Sequence, residues 1–179
     1  EFPLTPLDVA QVKTNYRCIQ TAIPVPESVP VLEQMRKAEP RSMGGQPPIL
    51  WHHGDRCTVS DPWGNRWIDL CAGVLVTASG HSHPRIVDAI KQMAEQGLYH
   101  AYCFPTEIRA RLVSKIQSLL PAPLSRVFML TTGSEATECA IKLARTMGIK
   151  RGGREKKIFI TFENGFHGRT MGAQLAGGS

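Results

Sequence analysis

Residues 126–147 read R-V-F-M-L-T-T-G-S-E-A-T-E-C-A-I-K-L-A-R-T-M, and this stretch decides the fold. Val127 to Leu130 is apolar without alternation, the pattern of a strand buried on both faces of a parallel sheet. After Gly133, apolar residues recur at Ala136, Ala140, Leu143, Ala144 and Met147, one face of a helix, and Gly148 stands where a C-terminal cap is expected. The unit is strand, Thr-Thr-Gly-Ser turn, helix. The first amides of a helix lack intrahelical partners and carry the positive end of its dipole, so the turn offers donors to an anion such as a phosphate. Taken alone, Ser134 is equally well an ordinary N-cap residue.

A second apolar run, Lys157 to Phe162 (K-I-F-I-T-F), leads into Glu163-Asn164-Gly165-Phe166-His167-Gly168-Arg169-Thr170. Two parallel strands joined by one helix form a βαβ unit, and ligands of such sheets bind beyond the carboxyl ends of the strands. The two turns are therefore expected to share a crevice. One brings phosphate donors, the other an aromatic ring, a histidine and an arginine.

These two segments, T-T-G-S-E-A-T-E-C-A-I-K-L-A-R and F-E-N-G-F-H-G-R-T-M-G-A, closely resemble the class III aminotransferases, enzymes of fold type I that use pyridoxal 5'-phosphate (PLP). The upstream G-N-R-W-I-D-L-C-A-G-V-L-V-T-A-S-G-H-S-H-P resembles the N-terminal segment of the same family, so the likeness runs from Gly64 to Ala173. It implies an α/β fold: the N-terminal portion of a three-layer αβα large domain, incomplete here, preceded by an arm and a β-hairpin of the small domain. Residues 1–79 would be the arm and hairpin, and 80–179 the first part of the PLP-binding domain.

The resemblance also implies roles. Gly133 and Ser134 would bind the cofactor phosphate and Phe166 would stack on its pyridine ring, with His167 beside them. Arg169 would pair with a substrate carboxylate, as in the 4-aminobutyrate and acetylornithine enzymes, and a guanidinium fork suits that contact. Val74 stands where family members carry an apolar residue or, in ornithine enzymes, a tyrosine facing the substrate. The lysine that holds the cofactor, the aspartate for its ring nitrogen and a threonine lent by a second subunit lie in the family beyond the point matched by Ser179. None of the lysines present, Lys142 included, has a comparable strand-end setting, and Lys142 fits a helix-surface ion pair with Glu138.

The implied reaction is amino-group transfer from a carboxylated amine to a 2-oxo acid, by a full-length homodimer or with a companion chain. The chain alone would be inactive. Against this stand a non-catalytic binding or scaffolding fragment, and an aminomutase or decarboxylase relative.

Composition is that of a globular chain: of 179 residues, 42% are hydrophobic and 20% charged. No apolar run approaches the roughly 18 residues of a membrane span, and Glu1-Phe2-Pro3 does not begin a signal peptide. The five cysteines show no C-x-x-C spacing, which speaks against a zinc site or disulfide framework and for the cytoplasm. The net charge of +6 is densest at Lys150–Lys157, which reads as a solvated loop and not a nucleic-acid surface, since stacking aromatics are missing there.

Residues 1–50 hold most of the thirteen prolines and read as an irregular arm with one short helix over Val31–Ala38. Cys57–Asp61 and Arg66–Leu70 flank Pro62-Trp63-Gly64-Asn65 as a hairpin, with Trp51, Trp63 and Trp67 as its packing residues. Pro84 opens a helix that Gly97 stops, with Ile86, Ile90 and Met93 on its apolar face. Thr106 caps another that turns Ile108, Leu112, Ile116 and Leu119 inward. His81 and His83 are structural, without a completed ligand set.

Overall fold

The computed structural model describes residues 2–177, and the chain divides between His100 and Ala101 into two compact units. The first is built around the hairpin. Strands β4 (Thr58–Ser60) and β5 (Arg66–Ile68) pair antiparallel with Val59 opposite Trp67. The Pro62-Trp63-Gly64-Asn65 turn closes them.

The proline-rich arm contributes more regular structure than its composition predicts. Two-residue strands β1 (Val12–Lys13) and β2 (Cys18–Ile19) pair with each other, and β2 joins β5 through Cys18 and Arg66. Strand β3 (His53–Asp55) adds to β4, giving an antiparallel sheet in the order β1-β2-β5-β4-β3. Asn65 is fully buried and joins arm to hairpin: its Oδ1 accepts from the amides of Gln20 at 2.9 Å and Thr21 at 3.3 Å, and its Nδ2 donates to Asp61 Oδ2 at 2.6 Å. Ile19, Val25 and Val59 are the buried apolar residues of this unit among those described.

Helix α1 runs over Val29–Ala38, two residues longer at its start than predicted, because a 3-10 turn at Pro26–Ser28 leads into it. Trp67 and Trp51 line a cavity of about 830 Å³ with Leu32, Met35, Leu70 and Val74. Trp51 meets His81 edge-on at 6.1 Å. After β5 comes a single left-handed turn, α2 (Ala72–Leu75), and then helix α3 over Pro84–Gln96, which Gly97 ends at a φ of 73° as expected.

In the second unit, α4 spans Glu107–Leu119, and the Thr106 side chain accepts from the Arg109 amide as the predicted cap. Helix α5 spans Gly133–Gly152 and α6 spans Met171–Ala176. Four expectations from the sequence differ from the structure. Gly148 lies inside α5, which ends at Gly153 with a φ of 79°. A single glycine costs a long helix only about 1 kcal/mol, and the next Gly-Gly pair is the real stop.

Residues 127–130 and 157–162 form neither helix nor strand and enter no ladder among the described residues. A crossover helix does not make its two strands neighbours, and a strand without an adjacent strand has no partner for its backbone. Phe128, Ile158, Ile160 and Phe162 are accordingly exposed. The same shortage of a facing layer leaves Ile108, Leu112 and Leu119 of α4, and Ile86 and Ile90 of α3, exposed instead of inward. Finally, Glu138 makes no ion pair with Lys142; its carboxylate is taken by the amides of Gly172 and Ala173. No helix among the described residues is long and apolar enough to cross a membrane.

Candidate functional site

The site begins at the first turn of α5. Thr132, not Ser134, is the N-cap: its hydroxyl accepts from the Glu135 amide, and the Glu135 carboxylate accepts from the amides of Thr131 and Thr132. This reciprocal capping box leaves the amides of Gly133 and Ser134 without a hydrogen-bond partner among the described residues. Nothing lies within 4 Å of where a Gly133 Cβ would stand, so the turn is uncrowded on that side.

The segment after residue 162 returns to this turn. The Arg169 amide donates to Ser134 Oγ at 3.3 Å, and the Thr137 hydroxyl donates to the His167 carbonyl at 3.0 Å. Gly168 makes the approach possible. Its φ is 118°, and a Cβ there would overlap the Ser134 side chain and stand 2.9 Å from the Ser134 Cα.

The Arg169 guanidinium is exposed and has no carboxylate within ion-pair distance among the described residues. With Phe166, Gly168, Ala173 and Gln174 it borders a small cavity of about 210 Å³. The Phe166 ring is 78% exposed, an apolar face with little protein against it.

Residues 41–179 match the family described as Aminotransferase class-III. The chain belongs to the class-III aminotransferases. It is 41% identical over 129 residues to the acetylornithine aminotransferase of Methanopyrus kandleri, which covers 72% of this chain and 32% of the relative. A second acetylornithine aminotransferase, from Caldanaerobacter subterraneus, is 40% identical over 132 residues, 73% of this chain and 33% of the relative. Among solved structures, the adenosylmethionine-8-amino-7-oxononanoate aminotransferase from Methanocaldococcus jannaschii superposes with a TM-score of 0.74 at 27% identity. That likeness covers 83% of this chain and 36% of the other. The chain thus spans about a third of the length of the curated relatives it matches, and it carries the first part of their α/β fold.

Of the residues singled out from sequence, the structure brings Ser134 against Arg169, with Gly133 and His167 flanking that contact. Phe166 is on the same loop and borders the same small cavity as Arg169. Val74 belongs to the other unit. It is 76% exposed on the left-handed turn, at a φ of 61°. That turn is held by Asp69, whose carboxylate accepts from the amides of Cys71 and Gly73. The Cys71 thiol and then the His81 ring hydrogen-bond the same carboxylate and hold it well below the usual carboxylate range.

Sequence reading missed Thr137, Glu138 and Gly168. For Gly168 a signal existed, since a glycine inside F-H-G-R-T marks either positive φ or close approach. For Thr137 and Glu138 none did, because their partners lie 30 to 35 residues away.

Proposed function

We propose that the chain is the N-terminal part of a PLP-dependent aminotransferase that takes an amino group from a carboxylated amine, of the 4-aminobutyrate or acetylornithine kind, to a 2-oxo acid. The observation that carries this is the hydrogen bond from the Arg169 amide to Ser134 Oγ, which joins a turn suited to an anion to an exposed arginine that has no ion-pair partner among the described residues. The 36 to 41% identity to several acetylornithine aminotransferases supports the same substrate class.

The residues present fit the cofactor. The free amides of Gly133 and Ser134, at the positive end of a 20-residue helix, suit its phosphate, with the Ser134 hydroxyl hydrogen available as a further donor. Phe166 offers a flat apolar face for a pyridine ring, with His167 next to it. When bound, PLP supplies the electron sink and carries the amino group between donor and acceptor.

What the chain's own residues add is position. Arg169 holds the substrate carboxylate by a bidentate, charge-assisted pair, which fixes how the amine enters. By the family resemblance, Val74 would supply the apolar residue that members carry at this position. Within the full-length protein, residues 1–79 form the arm and hairpin of the small domain and 80–179 open the cofactor-binding domain. The protein acts in the cytoplasm, as a homodimer of the full-length chain or with a companion chain.

The test is PLP titration of the full-length gene product by absorbance. Saturable binding that Gly133→Val weakens by about tenfold or more is expected, because a branched side chain blocks approach to the two amides. A Gly133→Val protein that binds PLP as tightly as the parent would leave the turn a purely structural one.

A further inference from the structure

Helix α5 is exposed along most of its length, yet Ser134, Thr137 and Glu138 are half-buried. Residues at i, i+3 and i+4 share one helix face, and these three meet the returning segment at successive points. Ser134 Oγ accepts from the Arg169 amide, the Thr137 hydroxyl donates to the His167 carbonyl, and Glu138 Oε1 accepts from Gly172 N at 2.9 Å and Ala173 N at 3.3 Å. Ala173, fully buried, seals the contact.

Glu138 anchors this face. Its carboxylate sits against the first turn of α6, where amides have no intrahelical partner, and so it forgoes Lys142, one turn along its own helix. The Thr170 hydroxyl, and to a smaller extent the Gly172 and Ala173 amides, favour its charged form against the opposing effect of desolvation. The fit is tight at Gly172, where a Cβ would stand 2.5 Å from Glu138 Oε2 and 3.0 Å from its Cδ.

We propose that Glu138 is a positioning residue for substrate recognition: by clamping the Thr170–Ala173 backbone to α5, it holds Arg169 at a fixed place relative to the phosphate turn. This rests on the assignment of Arg169 to the substrate carboxylate. Glu138 itself touches neither cofactor nor substrate; it acts through the loop.

The test uses full-length holoenzyme and compares a carboxylated amine with an amine of similar size lacking the carboxylate. Glu138→Ala is expected to raise KM for the carboxylated amine by about tenfold and to leave the other amine within about threefold, with PLP affinity little changed. Glu138→Gln keeps a carbonyl oxygen for the two amides and is expected to recover most of the loss. In an Arg169→Ala background, Glu138→Ala should bring no further loss of preference, since both act on one interaction.

Equal losses for both amines, or full additivity with Arg169→Ala, would reduce Glu138 to a fold-supporting residue and overturn the proposal. If Arg169→Ala alone leaves the preference between amines unchanged, the Arg169 assignment fails first and takes this inference with it. Should Glu138→Ala not fold, Glu138→Gln and Glu138→Asp decide. Asp is one methylene short of the amides, and parent-like preference in Glu138→Asp together with faster hydrogen exchange at Gly172 and Ala173 would overturn the clamp.

Discussion

Asp69 Oδ2 lies 2.7 Å from His81 Nε2, which makes the carboxylate after β5 and the histidine before α3 one hydrogen-bonded pair. The same carboxylate fastens the turn between them, accepting from the Cys71 amide at 3.0 Å and the Gly73 amide at 2.8 Å. Ala72, Gly73, Val74 and Leu75 in that turn all have positive φ. For residues with a Cβ such a conformation costs about 1–2 kcal/mol each. Asp69 offsets part of that cost, and Val74 is held out to solvent in consequence.

Acid sensitivity follows from this arrangement. The Cys71 thiol and His81 lower the Asp69 carboxyl in the folded state. A carboxyl lowered by folding contributes stability that is fully present above its unfolded value, near 4, and is lost as pH falls from there toward the folded one. Tryptophan fluorescence, with Trp51 edge-on to His81, should report loosening of the first unit below about pH 4. Asp69→Asn should be less stable at neutral pH and flatter in acid. An acid titration of Asp69→Asn that superposes on that of the parent would remove Asp69 from the account.

What sequence reveals and what it conceals divides along range. Gly97 and Thr106 stop and start their helices where read, because caps are written in adjacent residues. The Thr132 cap was equally written, in T-G-S-E: a glutamate three residues on selects Thr132 over Ser134. Strands β1 and β2, two residues each, are too short to show alternation, and only pairing defines them, β1 with β2 and β2 with β5. Glu138 shows the limit best. Its local partner Lys142 is visible four residues away, yet amides more than thirty residues distant win, since α6 offers unpaired donors at close range.

Asn65 should be the costliest single polar side chain in the first unit. It is fully buried, and truncation leaves the Gln20 and Thr21 amides and the Asp61 carboxylate facing an empty site. Leaving buried partners unsatisfied costs about 1–3 kcal/mol, so Asn65→Ala should unfold at clearly lower denaturant concentration. Asn65→Asp, nearly the same shape, should fare no better, because it sets a second carboxylate against Asp61. Urea melts of the two variants make the comparison, and a melt of Asn65→Ala within error of the parent would mean that the arm docks without it.

The two glycines of the candidate site should separate fold from ligand. Gly168→Ala forces a Cβ into Ser134 at a φ of 118°, a strain of about 1–3 kcal/mol, and should lower thermal stability while breaking the Arg169 amide contact. Gly133→Ala meets nothing within 4 Å in the protein itself. It should leave the melting temperature unchanged or slightly raised, so any loss of PLP affinity in that variant belongs to the phosphate approach. Calorimetry of both proteins, with and without PLP, distinguishes them; equal destabilisation by the two substitutions would contradict the assigned geometry.

Arg169 carries the substrate assignment, and its guanidinium is the part that matters. Its backbone is already committed to Ser134 through the amide, so replacing the side chain should not disturb the loop, and PLP should bind to Arg169→Lys and Arg169→Ala nearly as to the parent. Lysine keeps the charge but loses the planar fork, while alanine loses both. A charge-assisted hydrogen bond is worth about 1.5–3 kcal/mol, so the first half-reaction with a carboxylated amine should slow by about tenfold or more in Arg169→Lys and further in Arg169→Ala. An amine without the carboxylate has nothing for the fork to hold and should react at close to the parental rate. Single-turnover spectra of the full-length enzyme with the two amines give the ratio directly. If both amines slow equally, the arginine serves the fold, and the carboxylate must be read by another residue.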